Sequence, residues 1–165
     1  MSSLGEFRRM SPETLEDIRS EPPRAHDRVH DLPDSLDVDR DWKRLAALLD
    51  LAGFPVNPMT GGEVFPDERY SWGGNGDALA LTTEQVTLVA DRLAGTPFDQ
   101  VAQHLPHLHA QGWQSVHPDG HLHPITAEED MAAAVRERLA EAYAQLTAFF
   151  AAAAANGQRT IFWAA

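Results

Sequence analysis

The sequence contains no cysteine, and this absence excludes several kinds of chemistry. Without a thiol, the chain has no disulfide framework, no cysteine nucleophile and no thiolate metal or iron–sulfur site. Long apolar runs are also missing, because the longest, Ala148–Ala155, is far shorter than the roughly 20 residues that span a bilayer. The N-terminus shows no apolar run of signal-peptide length behind a basic start. We therefore expect a soluble cytoplasmic protein that does not enter a membrane.

Basic residues are scarce, with 13 Lys and Arg against 25 Asp and Glu, so the net charge is −12. Proteins bind phosphate backbones largely by neutralising them with Lys and Arg, so this balance disfavours nucleic-acid binding. An acidic surface suits a basic partner protein, and it also keeps a protein in solution. We expect no nucleic-acid partner and name a basic protein as the partner class.

The length and composition are those of one globular domain. A chain of 165 residues is about one domain, and it buries roughly 70% of the surface that the unfolded chain exposes. The hydrophobic fraction of 43% and the charged fraction of 23% are typical of folded proteins. No internal repeat interrupts the chain, so we predict a single domain over residues 1–165.

The hydrophobic pattern predicts strands near both ends of the chain, with helices between them. Alternation from Leu4 to Met10 indicates a first strand, and Thr160–Ala164 has the composition of a buried last strand. Apolar residues spaced by three and four from Met131 to Ala153 predict a long C-terminal helix. Shorter helices are expected after the N-caps Ser11 and Thr82. The prediction is an α+β fold: a small mixed sheet that includes the N- and C-terminal strands, packed by the long helix and several shorter helices.

The segment before the first tryptophan is rich in proline and charge. Residues 20–36 are predicted to be irregular, and the next helix is expected to begin near Asp37 or Asp39, where acids suit the positive end of the helix dipole. The acids at 37–41 also resemble the start of a calcium loop. That loop needs Gly at its sixth position and Glu at its twelfth, which here are Trp42 and Leu48. We therefore interpret these acids as helix capping.

A histidine-rich stretch is the most suggestive chemical feature. Five of its histidines are candidate metal ligands: His107, His109, His117, His121 and His123. A tight turn over residues 117–121 would bring His117 beside His121 and His123, and three neutral imidazoles with water suit a catalytic zinc. Glu63 or Asp119 would then be the general base. A polar surface loop that coordinates nothing explains the same residues, because no His-Glu-x-x-His motif is present.

Two tryptophans lie beside glycines in predicted loops. Exposed loop aromatics often anchor protein interfaces, which makes Trp72 and Trp113 candidate partner-binding residues. A loop tryptophan can also fold back over the edge of a core, and that alternative stays open. Trp42 and Trp163 lie on predicted core faces and are expected to be structural.

Several segments together resemble the YfbM-like family of bacterial proteins, a domain family of unknown function. The chain has Ser-Pro-Glu-x-Leu at Ser11–Leu15 and Leu-Asp-Val-Asp-x-x-Trp-x-x-Leu-x-x-Leu-Leu at Leu36–Leu49. A Gly-Gly pair then leads to Gly-x-Ala-x-x-Leu-Thr-x-Glu-x-Val at Gly76–Val86. Leu-x-x-Phe-Phe-x-x-Ala-Ala at Leu146–Ala154 precedes the final apolar strand. The resemblance implies a bacterial protein with the family's fold, and it supplies no reaction.

Two functions remain open on the sequence alone. The chain has no P-loop and no Gly-x-Ser-x-Gly elbow. The leading interpretation is a non-catalytic binding or interaction protein with an acidic surface, which needs no cofactor. The alternative is a metal-dependent hydrolase that uses zinc in the histidine-rich segment 104–123. The sequence does not settle the oligomeric state.

Overall fold

The computed structural model describes residues 4–70, 72, 77–110, 114–116, 122–124 and 129–165, with the backbone alone for 109–110, 114–116, 122–124 and 129–132. The strands are β1 (Gly5–Met10), β2 (Ser35–Asp39), β3 (Glu63–Val64), β4 (Leu79–Leu81), β5 (Gln114–Val116), β6 (Leu122–Pro124) and β7 (Arg159–Ala164). The helices are α1 (Pro12–Arg19), α2 (Ala25–His30), α3 (Trp42–Leu51), α4 (Thr83–Gly95), α5 (Phe98–Ala102), α6 (Leu105–Ala110) and α7 (Glu129–Ala155). Within these ranges, no helix combines the length and apolar character that a bilayer crossing requires.

The main sheet places the two terminal strands side by side. Its strand order is β2-β1-β7-β4-β3, and β5 and β6 form a separate two-stranded ladder. Leu4 and Ala165 extend the β1–β7 pair, with backbone N–O distances of 2.9 and 3.0 Å. The predicted α+β fold, with both chain ends in one sheet and a long C-terminal helix, is therefore confirmed. All four pairings described in this sheet are antiparallel, so this part of it is not mixed.

One face of the sheet, here called the helical face, carries the larger core. Phe7, Leu81 and Phe162 point from β1, β4 and β7 into a cluster with residues of α3, α4 and α7. The helix α7 contributes Leu139, Leu146, Phe149, Phe150 and Ala153, all buried. Phe7 packs against Phe149, Phe150 and Phe162, with ring centroids 4.8–5.8 Å apart. The apolar residues of α7, which are spaced by three and four, thus face the sheet, as the sequence predicts.

The opposite face, here called the α1 face, carries a second core. Met10, Ile161 and Trp163 belong to this cluster because successive side chains of a strand point to opposite faces. The remaining buried members come from α1, α2, β4 and the segment around residue 65: Leu15, Ile18, Ala25, Val29, Phe65, Ala78 and Ala80. The sheet is therefore covered on both faces, which explains why β7 is buried over nearly its whole length.

The segment from residue 25 to 41 differs from its prediction. Residues 25–30 form α2, and Asp37 and Asp39 lie in β2, so their interpretation as helix caps is wrong. Leu36 and Val38 turn to the helical face between three exposed polar residues, which is the period of a strand. Asp39 ends β2 with a φ of 48°, and α3 begins only at Trp42.

Two predicted helix starts are confirmed by their capping bonds. The Ser11 side chain accepts a hydrogen bond from the backbone of Thr14 at the start of α1. At the start of α4, the Thr82 hydroxyl accepts from Gln85 N at 3.1 Å, and the Gln85 side chain accepts from Thr82 N at 2.9 Å. Such a reciprocal pair satisfies two backbone donors that the first turn of a helix leaves without partners.

Candidate interaction surface

A group of aromatic side chains gathers on the α1 face beside β7. The Trp72 ring lies 6.1 Å from Trp163, 5.7 Å from Phe65 and 5.6 Å from His26, measured between ring centroids. Trp163 is almost fully buried, whereas Trp72 is half-buried and His26 is exposed. Trp72 therefore covers the edge of the smaller core and presents its remaining surface beside a histidine.

Arg8 lies beneath this group and is unusually buried for an arginine. Only 8% of its surface is exposed, and its guanidinium lies 5.4 Å from the Trp163 ring centroid. It donates to the backbone oxygens of Phe7 at 3.1 Å and His30 at 3.4 Å, and it pairs with Glu6 at 3.5 Å. Stacking on an indole and hydrogen bonds to carbonyls offset part of the cost of burying the charge. Arg8 thus connects β1 to the end of α2.

A second polar cluster joins three elements through one carboxylate. Glu63 Oε1, on β3, accepts hydrogen bonds from Arg19 of α1 at 2.7 Å and from Arg159 of β7 at 2.9 Å. Arg159 also reaches Glu16 at 3.3 Å. Desolvation raises the pKa of Glu63, but the hydrogen bonds from Arg159 and Arg19 and the positive charges of these two residues lower it, so the pKa lies below its ordinary value. The cluster holds the short strand β3 against the rest of the α1 face.

A third polar cluster lies at the start of α3. Asp41 accepts from Arg44 at 2.6 Å and from Arg138 of α7 at 2.9 Å. The hydrogen bond to Asp41 and the nearby charge of Asp39 raise the pKa of Arg138, against the opposing effect of desolvation. Asp41 therefore ties α3 to α7 through its side chain, and no capping bond from that side chain forms at the α3 N-terminus.

Four aspartates, here called the acidic edge, lie on β2 and on the turn before it: Asp31, Asp34, Asp37 and Asp39. Asp34 pairs with Arg9 at 3.5 Å, and its side chain remains 42% exposed. Asp31 and Asp37 are exposed and make no ion pair within the part of the chain that the structure describes. Glu6 lies directly opposite Asp37 on β1, which adds a like charge on the same face. The acidic edge is thus a local excess of negative charge on a sheet margin.

The structure places only one of the two predicted partner-binding tryptophans. Trp72 lies in the aromatic group on the α1 face, and Trp113 lies outside the described residues. Trp42 and Trp163 are buried, as expected for structural residues. A partner-binding role for Trp72 and Trp113 stays a prediction.

The histidine-rich segment is described only in part. His107 is exposed on α6. The other candidate ligands lie where at most the backbone is described: His109, His117, His121 and His123. Among the side chains that the structure describes, no three His, Asp or Glu converge to hold a metal ion. β5 and β6 pair with Val116 opposite Leu122, so the chain on the two sides of the predicted 117–121 turn lies side by side.

The sequence interpretation missed two features of the α1 face. His26 and His30 lie one helical turn apart on α2, with ring centroids 6.1 Å apart, in a segment that is predicted to be irregular. Their four-residue spacing is the signal that would have indicated a helix. Arg8 alternates with Glu6 and Met10 on β1, which places it on a buried face, but its burial depends on α2 and Trp163.

Comparison with known proteins supports the resemblance. A family model described as a domain of unknown function (DUF1877) matches residues 1–163. Among solved structures, the chain is similar to the crystal structure of YfbM, a protein of unknown function from Escherichia coli, with a TM-score of 0.64 and 14% sequence identity. That match covers 96% of this chain and 98% of the other, and at this identity it shows the fold alone. No functionally curated protein matches the chain.

Proposed function

Since this chain belongs to the family of the domain of unknown function DUF1877, membership supplies no activity, and we propose a function from the chain's own surface. The protein is a non-catalytic interaction protein that binds a basic partner protein. The acidic edge is the observation that carries this proposal. It concentrates exposed carboxylates on one margin of the sheet, within a chain whose net charge is −12.

Electrostatic complementarity gives this surface its selectivity. Like charges that face each other cost free energy in an interface, so an acidic patch rejects acidic partners and orients basic ones. The field of the patch also raises the rate of encounter with a cationic protein, and salt weakens that effect. Asp37 and Glu6 lie opposite each other, so a cationic side chain placed between them relieves their mutual repulsion.

Aromatic anchors complete the proposed interface. Trp72 is half-buried beside His26, and we assign it the partner-binding role that its loop position predicts. Trp113 is assigned the same role on its sequence position alone. Large aromatic side chains often dominate the free energy of binding at protein interfaces.

Affinity capture with matched charge variants tests the proposal. We expect the wild type to retain a basic protein from the native cell extract. The double variant Asp31→Asn/Asp37→Asn should retain about tenfold less of that protein. The control, Asp91→Asn/Glu141→Gln, removes the same charge from exposed positions of α4 and α7 on the helical face. Mass spectrometry of the retained proteins gives the ratio.

The control separates a defined surface from general acidity. Retention by the control at the wild-type level locates binding at the acidic edge. Equal loss in both double variants, or no basic protein retained by the wild type, contradicts the proposal. Replacing Trp72 with Ala in the same assay tests the anchor, with its melting temperature measured in parallel because Trp72 also covers the smaller core.

The metal-dependent hydrolase remains as a second candidate because β5 and β6 pair on the two sides of the predicted histidine turn. Ligand binding to the folded state raises stability by about 2.7 kcal/mol at a hundredfold excess over Kd. A native zinc site predicts that a chelator lowers the melting temperature and that zinc restores it. In His121→Ala/His123→Ala the chelator effect should disappear, whereas an unchanged melting curve of the wild type in chelator contradicts the site.

A further inference from the structure

The outer margin of β2 leaves backbone hydrogen-bonding groups directed away from the sheet. Arg9 N donates to Asp34 O at 3.1 Å, which makes these two residues a hydrogen-bonded pair. Such pairs alternate with non-hydrogen-bonded pairs along an antiparallel ladder. Ser35, opposite Arg8, and Asp37 therefore belong to the non-hydrogen-bonded set. Their N–H and C=O groups point outward from β2, which pairs only with β1 in the described part of the sheet.

We propose that the outer edge of β2 accepts an extended basic segment of a partner protein as an additional antiparallel strand. This inference rests on the proposed function and specifies its mode of binding. Strand addition to an open sheet edge supplies main-chain hydrogen bonds for affinity, while alternate side chains supply specificity. Antiparallel addition continues the arrangement of every described strand pair in the main sheet.

The charge of the edge selects the occupant. A second copy of this chain would bring its own aspartates against Asp37, and directly opposed like charges on a sheet destabilise the pairing. Charged edges prevent self-association in this way, and the same charges admit a strand of opposite sign. The partner is therefore a cationic segment rather than another copy.

The geometry also sets the length and pattern of the segment. Pro33 has no N–H, and β2 carries a bulge where its register with β1 shifts beyond Asp37, so the regular edge is short. Residues paired with Ser35 and Asp37 project to the α1 face. The one paired with Asp37 lies in line with Glu6, and the one paired with Ser35 lies in line with Arg8, which is buried. The residue paired with Leu36 projects to the helical face, next to a half-buried apolar side chain. A Lys-Val-Lys pattern therefore fits the edge.

A synthetic peptide with methylated amides tests this mode directly. The probe is blocked (Lys-Val)3, titrated against the full chain by isothermal calorimetry. N-methylation of the Lys amides removes the donors that would pair with Ser35 and Asp37. N-methylation of the Val amides modifies groups on the far side of the added strand and is the matched control. We expect at least tenfold weaker binding for the first peptide and unchanged binding for the second.

Two further measurements locate the peptide on the protein. The amides of Ser35 and Asp37 should exchange with solvent more slowly in the complex, as measured by NMR. Ser35→Pro removes one outward N–H without breaking the β1 ladder, because proline is tolerated on edge strands when its missing N–H faces outward. This variant should bind the unmethylated peptide at least tenfold more weakly. If the variant loses stability, the comparison of the two methylated peptides tests strand addition in its place.

The outcomes separate strand addition from the broader function. Equal binding of the two methylated peptides overturns strand addition; if Asp37→Asn then weakens both, binding of a basic partner through the acidic edge still stands. No binding of the parent peptide also overturns strand addition, and the capture experiment with the double variants then decides the function independently.

Discussion

At the scale of single residues, Glu63 shows how one carboxylate can organise a surface. Its Oε1 accepts from Arg19 and Arg159, which come from α1 and β7. Arg159 is largely buried, with 11% of its side chain exposed, whereas 52% of the Glu63 side chain is exposed. Solvent screens such partly exposed pairs, so each contributes at most about 1 kcal/mol.

Replacing Glu63 with Gln should lower the free energy of unfolding by about 1 kcal/mol at neutral pH. The folded-state pKa of Glu63 lies below its ordinary value of 4.5. A depressed pKa contributes stability above the unfolded-state pKa, and that contribution is lost as the pH falls through the folded-state pKa. Urea unfolding of both proteins at pH 7 and in steps below pH 4.5 should show the difference shrinking toward acid. The same loss at every pH would contradict this account, and Glu141→Gln, on the exposed face of α7, is the control.

Residues whose roles depend on local sequence are predictable, and residues with distant partners are not. Ser11 and Thr82 cap helices through bonds to residues three positions away, so their spacing alone reveals them. Glu63 meets Arg159 across 96 positions, and no local pattern encodes that contact. The burial of Arg8 likewise depends on β7 and α2, which approach it only in the folded chain.

At the scale of elements, the approach of β3 to β4 requires a glycine. A Cβ on Gly62 would lie 2.7 Å from the Ala80 backbone oxygen, which is too close for a carbon atom. The neighbour is backbone within the sheet, so β3 itself would have to move. Gly62, the second residue of the Gly-Gly pair that precedes β3, is thus a packing requirement of this edge.

Gly62→Ala should therefore lower the free energy of unfolding by about 1–3 kcal/mol. Gly95→Ala makes the same chemical change at the end of α4, where a Cβ would meet nothing within 4 Å. The second substitution should be neutral or stabilise by up to about 1 kcal/mol, because alanine restricts the unfolded chain. Equal effects in a denaturant titration would show that close packing at β3 does not matter.

Elements with a strong period or a clear cap follow from the sequence, whereas α2 and β2 do not. β1, β7, α4 and α7 are all predicted, because their apolar residues recur with one clear period. β2 is missed because its two aspartates, Asp37 and Asp39, together with Asp41 resemble the acidic first turn of a helix. This segment forms a strand because it pairs with β1 and because Leu36 and Val38 contact the larger core. The aromatic group on the α1 face is only partly predictable. The loop position of Trp72 makes it a candidate from the sequence, but no local pattern shows which residues pack against it.

At the scale of the whole molecule, the two cores share the strands that separate them. β1 and β7 contribute to both faces, so neither core can remain intact while the other loses its sheet. This arrangement supports the prediction of a single domain over residues 1–165. It also means that tryptophan fluorescence reports both cores, through Trp42 on the helical face and Trp163 on the α1 face.

We expect one cooperative unfolding transition, with the same midpoint by fluorescence and by circular dichroism.

Substitutions in the two cores test the same point. Ile18→Val on the α1 face should lower the free energy of unfolding by about 0.5–1.5 kcal/mol, and Leu93→Ala on the helical face should lower it by about 2–5 kcal/mol. These side chains lie in different clusters, so the double variant should be additive within about 0.5 kcal/mol. Two separate transitions, or a variant that shifts only one probe, would contradict a single domain.

The adjacency of β1 and β7 also determines the order in which the chain can fold. Arg9 bonds to Gln158 across 149 positions, and the β1–β7 ladder beside that bond is equally non-local. Contacts of such long sequence separation slow folding, because loop closure must precede them. During synthesis, β1 emerges from the ribosome long before β7, so it waits without its central partner. β2 follows β1 closely in the chain and can cover one margin of β1 early. Until the last strand arrives, the other margin, which will pair with β7, is open to other chains, and the nascent protein is most prone to aggregation at that stage.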